Sequence, residues 1–129
     1  MATHIRPHLV GGLLVGALLF SGCGSAAAGS ADDDGTGIRV IGLDTMRFNP
    51  DTITVKAGES TKIVFKNGGF IPHDFITEGA DKNVRLVNVG GGKQQSGTFL
   101  ANKPGTYTVV CIQPGHKEAG MVGNIVVSP

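Results

Sequence analysis

The sequence has no tryptophan, one tyrosine and six phenylalanines among 129 residues. With so few large rings, Val, Ile, Leu and Phe must fill any core, which favours many short strands over broad helical faces. Charge is also sparse: Asp, Glu, Lys and Arg make up 16% of the chain, below the usual ~25%. The two signs nearly cancel, 11 Lys and Arg against 10 Asp and Glu. That balance supplies no basic face for nucleic acid and no acidic tail to solvate a partner. Two cysteines are too few for a disulfide framework. The length suits one domain and excludes large multidomain enzymes. What is abundant is glycine, with 21 residues, more than twice the ordinary ~7%, so the chain turns often.

The N-terminal residues read as an export signal. Arg6, with His4 and His8, gives a weakly positive start, and Leu9 to Phe20 is an apolar and glycine run. As a helix that run rises only about 18 Å, short of a ~30 Å hydrocarbon core, so a signal peptide over residues 1–22 is expected rather than a membrane span. Leu19-Phe20-Ser21-Gly22-Cys23 resembles a bacterial lipobox, which makes Cys23 the expected lipidation site and new N-terminus. Residues 23–37, dominated by Gly, Ala, Ser and Asp, carry no apolar period and are expected to form a flexible tether with a mean span of about 20 Å. Hydrophobic periodicity begins at Ile38, so the folded domain is expected over residues 38–129.

Within that domain Ile53 and Val55 alternate with threonines, and Ile63 and Phe65 alternate with Lys62, Val64 and Lys66, which are expected on the opposite side. Asn67-Gly68-Gly69 marks a hairpin or corner. Further strand-like runs are His73 to Thr77, Val84 to Val89, Ser96 to Leu100, Tyr107 to Cys111 and Val122 to Val127, while Ile38 to Leu43 is too irregular to name its buried face. Seven to eight short strands predict an all-β sandwich or small barrel.

Four residues with metal-ligand chemistry fall at strand ends or in loops: His73, Cys111, His116 and Met121. The last three are spaced Cys-x4-His-x4-Met, so one loop between two strands can present all of them to a common centre that His73 reaches from a separate strand. Two imidazoles and a thiolate with a weak axial thioether form the donor set of a blue-copper electron-transfer site. Structural zinc favours Cys and His without Met, and iron–sulfur clusters need more thiolates. If Cys23 carries lipid, Cys111 stands alone in an exported protein, where an unpaired thiol calls for a role.

The pattern resembles the cupredoxins, the small blue-copper family that includes plastocyanin, azurin and auracyanin. The resemblance is carried by Phe48-Asn49-Pro50, Ala57-Gly58-Glu59, Ile63 to Asn67, Pro72-His73, Pro104 to Cys111 and the ligand loop, whose spacing is closest to auracyanin. It implies a Greek-key β-sandwich binding one Cu(I)/Cu(II) ion of type 1, with His73, Cys111 and His116 equatorial and Met121 axial. In many cupredoxins an Asn follows the first His and ties the ligand loops together; this chain has Asp74. A carboxylate there would favour the oxidised site and lower the potential, unless it points to solvent.

With four protein donors no position is open to substrate, so a single-electron carrier is expected rather than an enzyme. Phe70, Ile71, Ile112 and Pro114 would form a small apolar patch for docking redox proteins, such as cytochromes or a membrane redox complex, in short-lived encounters. The expected state is a monomer, lipid-anchored to the cell membrane and facing the periplasm or cell exterior. A periplasmic protein for copper delivery or resistance is the alternative. Multicopper oxidases need further His clusters and a second domain, and a binuclear copper centre needs a second loop Cys.

Overall fold

The computed structural model describes residues 34–79 and 84–129. The expected signal peptide, Cys23 and most of the tether lie outside the described residues. At the tether's end, Lys62 donates to the Asp34 carboxylate at 2.9 Å, so residue 34 already lies against the domain.

The described residues form nine strands: β1 (Ile38–Leu43), β2 (Arg47–Asn49), β3 (Thr52–Lys56), β4 (Thr61–Asn67), β5 (His73–Thr77), β6 (Arg85–Val89), β7 (Gln94–Phe99), β8 (Gly105–Val110) and β9 (Val122–Ser128). They build two sheets, ordered β2-β1-β4-β7 and β3-β9-β8-β5-β6. Most pairs are antiparallel, but β1 runs parallel to β4 and β3 parallel to β9. The all-β sandwich expected from the sequence is therefore present, with one strand more than expected. The addition is β2, a three-residue element with Phe48 as its one buried side chain. Alternation over three residues is too short to register as a strand.

The core lies between the sheets. Phe48, Phe65 and Phe75 pack in a triad, with ring centroids 5.3 to 6.0 Å apart, while Phe99 meets Tyr107 edge-on at 5.7 Å. Ile63, Phe65, Phe99, Val110 and Ile125 are fully buried. The inner face of β1 consists of Ile38, Val40 and Gly42. A Cβ on Gly42 would stand 2.6 Å from the Phe65 ring, so the aromatic side chain occupies the space that β1 leaves open. That is why β1 shows no clear apolar alternation.

β4 alternates as expected: Val64 lies on the face opposite Ile63 and Phe65, yet it is only 3% exposed. In register it lies between Arg39 of β1 and Ser96 of β7, whose side chains share its face in the middle of the sheet.

Asn67-Gly68-Gly69 is a corner rather than a hairpin, because β4 and β5 belong to different sheets. The corner leads to His73 at the start of β5. β5 and β8 pair at Ile76–Val110 and Thr77–Val109, and their pairing does not continue toward His73 and Cys111. There the Asp74 N–H donates to the Cys111 sulfur at 3.2 Å. The two sheet-anchored strands thus part at one end of the sandwich, and the site lies where they part.

Candidate metal centre

Each side chain at the centre is carried by a different local device. His73 opens β5 and is fully buried. Cys111 follows β8 directly, and its N–H donates to the Met121 carbonyl at 3.2 Å, extending the β8–β9 ladder by one step. Between them the chain makes a closed loop. His116 N–H donates to Gln113 O at 3.0 Å, Ala119 N–H to Gly115 O at 3.0 Å, and Met121 N–H to His116 O at 2.9 Å. Gly115 and Gly120 have φ of 80° and 101°, a left-handed backbone that glycine adopts without a Cβ penalty. The loop's shape is therefore fixed by its own hydrogen bonds.

This scaffold brings His73, Cys111 and His116 together, with one ligand-capable atom from each lying within 4.8 Å of the others. His73 Nδ1 stands 3.2 Å from His116 Nδ1, which in turn stands 3.4 Å from Cys111 Sγ. Cys111 is fully buried and His116 half-buried. Met121 is fully buried immediately before β9, and its methyl carbon would lie 3.4 Å from a Cβ placed on Gly42. Two imidazole nitrogens and a sulfur converging in this way fit a soft or borderline ion that accepts imidazole and thiolate.

In the metal-free site the electrostatics favour ligation at the His73 imidazole and oppose it at the Cys111 thiol, which binds metal as the thiolate. Burial pushes the Cys111 thiol up, opposed by the backbone N–H groups of Asp74 and Gln113, and the Asp74 charge pushes it further up. Burial also lowers the His73 pKa, partly offset by Asp44. A neutral imidazole is the form that ligates metal.

Asp74 does not point to solvent. It is 1% exposed, and its carboxylate accepts from Asn88 N–H at 2.6 Å and from the Gln113 side chain at 3.1 and 3.2 Å. Through Gln113 it ties β5 to the ligand loop, the linking role that the resemblance assigns to Asn at this position.

Two contributors escaped sequence reasoning. Asn67, fully buried, donates to Ile71 O at 2.6 Å and Val89 O at 2.7 Å and accepts from Gly69 N–H at 2.8 Å. Asp44, in the β1–β2 turn, accepts from Phe70 N–H at 2.9 Å and contacts His73 Nε2 at 3.2 Å. The N–H of Phe70 is the main reason its carboxyl is held below the usual range. The partners of both residues are main-chain atoms or, for Asp44, the His73 side chain twenty-nine positions away, so neither leaves a spacing signal beyond that of a turn residue.

The residues expected to form a docking patch sit on the two loops that meet at the centre. Phe70 is 93% exposed and Ile112 52%; Ile71 and Pro114 are also exposed. Among the described phenylalanines, Phe70 alone is outside the core.

Comparison with known proteins agrees with this geometry. Residues 38–128 match the copper binding proteins of the plastocyanin/azurin family. The chain is 37% identical over 108 residues to the copper-resistant cuproprotein CopI of Rubrivivax gelatinosus, covering 70% of this chain and 65% of that relative's length. It is 36% identical over 91 residues to the plastocyanin of Lactuca sativa, covering 63% of this chain and 87% of that protein. Among solved structures, dithionite-reduced auracyanin from Roseiflexus castenholzii superposes with a TM-score of 0.61 at 22% identity, over 73% of this chain and 98% of that one. This last likeness bears on the fold.

Proposed function

Because the chain belongs to the plastocyanin/azurin family of copper-binding proteins, with copper as its cofactor, we propose that it is an exported carrier of single electrons. In this reading His73, Cys111, His116 and Met121 would hold the copper, the two imidazoles and the thiolate as strong donors and the Met121 thioether as a weak one. The observation that carries it is the convergence of His73, His116 and Cys111 donor atoms within 4.8 Å of one another. Copper, when bound, supplies the one-electron Cu(I)/Cu(II) couple.

The chain's own part is to hold that donor set still. Ligands that do not move between oxidation states keep the reorganisation cost of electron transfer low, and the loop bonds around Gln113, Gly115 and His116 supply that stiffness. Four donors from the protein leave no place for a substrate, which supports a carrier over an enzyme. Cyclic voltammetry after dialysis against a chelator tests the reading: a reversible one-electron wave that survives dialysis is expected, and metal lost to the chelator would contradict it.

Asp74 bears on the potential. Its buried carboxylate favours the more positive, oxidised site, so Asp74→Asn should raise the midpoint potential. Asn keeps one oxygen to accept from Asn88 N–H or Gln113, so the fold should stand. A shift on the order of 59 mV, a tenfold change in Cu(I)/Cu(II) preference for one electron, is expected. An unchanged or lowered potential would count against it.

Phe70, Ile71, Ile112 and Pro114 are proposed as the surface on which redox proteins dock and from which they leave quickly. Phe70→Asp should lower the second-order rate of electron transfer to a small soluble cytochrome about tenfold, the size of a modest hot-spot loss. The visible spectrum and potential should stay unchanged. Equal rates in the two proteins would remove the patch from the account.

The similarity to a copper-resistant cuproprotein favours a second reading, in which the same centre takes up copper rather than passing electrons. Rapid exchange of bound copper with a chelator would support it. Lipid attachment at Cys23, with the chain monomeric and held at the outer face of a membrane, is part of the proposal. Mass spectrometry of the mature N-terminus tests the lipid: an acylated Cys23 is expected, and a free N-terminus elsewhere would overturn it.

A further inference from the structure

Resting on the copper-site reading above, we propose that Asp44 is a positioning residue for the metal centre: its carboxylate fixes the tautomer and orientation of His73 and tunes the reduction potential from outside the ligand set. The Asp44 side chain is 36% exposed, yet its oxygens turn inward. Oδ1 lies 3.2 Å from His73 Nε2 and 3.4 Å from the N–H of Ile71, and Oδ2 lies 2.9 Å from the N–H of Phe70. One carboxylate therefore clamps both a ligand and the corner that delivers it.

A carboxylate accepts only, so the contact with Nε2 calls for the proton of His73 on that nitrogen. Nδ1 is then left bare and faces His116 Nδ1 at 3.2 Å and, beyond it, the Cys111 sulfur. In the metal-free protein His116 then donates from Nδ1 to His73 Nδ1; to ligate through Nδ1, His116 must take the tautomer that carries its proton on Nε2. A ligating imidazole that donates its other N–H to a carboxylate is the more basic donor, which favours Cu(II) over Cu(I).

The clamp needs space, and Gly69 supplies it. A Cβ at Gly69 would lie within 1.9 Å of Asp44 Oδ1 and 2.3 Å of its carboxyl carbon. Gly69 does not have a positive φ, so alanine there meets the carboxylate rather than a backbone penalty. Gly69→Ala thus evicts Asp44 from its seat without altering Asp44 itself.

The test compares wild type with Asp44→Asn, Asp44→Ala and Gly69→Ala. In the metal-free proteins, ¹⁵N NMR of the imidazoles should show His73 protonated on Nε2 in wild type and a mixture of tautomers in Asp44→Ala and Gly69→Ala. In the copper-loaded proteins, all three variants should remain blue and favour Cu(I) more strongly, by about tenfold, read as a midpoint raised by about 59 mV. Asp44→Asn, which keeps an acceptor without the charge, should raise the potential while preserving the tautomer. If Asp44→Ala keeps the wild-type tautomer and its potential moves by less than about twofold in that preference, the proposal is overturned. A wild type that binds copper without a blue colour would overturn the electron-carrier reading instead, and the metal-free NMR would still decide the role of Asp44.

Discussion

Cys111→Ser is expected to abolish the intense visible band of the copper-loaded protein completely while leaving the metal-free fold in place. The band requires a thiolate bound to Cu(II), and a serine hydroxyl is neither soft nor ionised at neutral pH. The site can accommodate the smaller oxygen, because the Asp74 N–H that donates to sulfur at 3.2 Å can donate to Oγ instead. With that partner kept, the burial cost should stay below the ~1–3 kcal/mol of a buried hydroxyl left without a hydrogen bond. Metal linkage should change more. At a copper concentration about 100 times the dissociation constant, binding stabilises the wild type by about 2.7 kcal/mol, and the variant should lose most of that gain. Thermal melts with and without copper, read beside the spectrum, check both halves. A variant that stays blue would show that Cys111 is not a ligand.

The largest effect on the fold itself is expected at Asn67. Its side chain makes three hydrogen bonds at 2.6 to 2.8 Å, to Ile71 O, Val89 O and Gly69 N, and joins the end of β4, the corner before His73 and the end of β6. Asn67→Ala removes all three and leaves the Val89 carbonyl without that partner in a buried place. At about 1 kcal/mol for each bond, with more where a buried group is left unmade, the loss should be about 3–4 kcal/mol. For a domain of this size, at ~4–8 °C per kcal/mol, the melting temperature of the metal-free protein should fall by roughly 12–30 °C. The same change frees the corner that carries Phe70, Ile71 and His73, so copper affinity should weaken with stability. Calorimetry of the metal-free protein, followed by copper titration below the new transition, separates the two losses. A drop of less than about 4 °C would mean that the corner holds itself together by other contacts.

These two residues also mark what can be read from the amino-acid sequence. Cys111, His116 and Met121 are legible because soft donors are rare in this chain and their spacing within one loop is constrained. His73 is legible because it opens a strand-like run after Pro72. Asn67 sits in an Asn-Gly-Gly run and reads as turn chemistry; that its side chain bonds a carbonyl of β6 depends on a corner between sheets. Asp44 is likewise a turn residue until the fold brings it to His73, twenty-nine positions away. Asp74 was legible as a departure from the family pattern, but its burial and its link to Gln113 come from the folded ligand loop. Among the strands, β4 shows clear alternation, whereas Gly42 at an inward position obscures β1 and the brevity of β2 hides it.

The most direct test of the account is the visible spectrum of the protein titrated with Cu(II) and then treated with ascorbate. An intense blue band is expected that saturates at one equivalent of copper, disappears on reduction and returns on reoxidation. A colourless complex, or a colour lost as copper is released, would contradict the electron-carrier reading and leave copper handling as the chemistry of the centre formed by His73, Cys111 and His116.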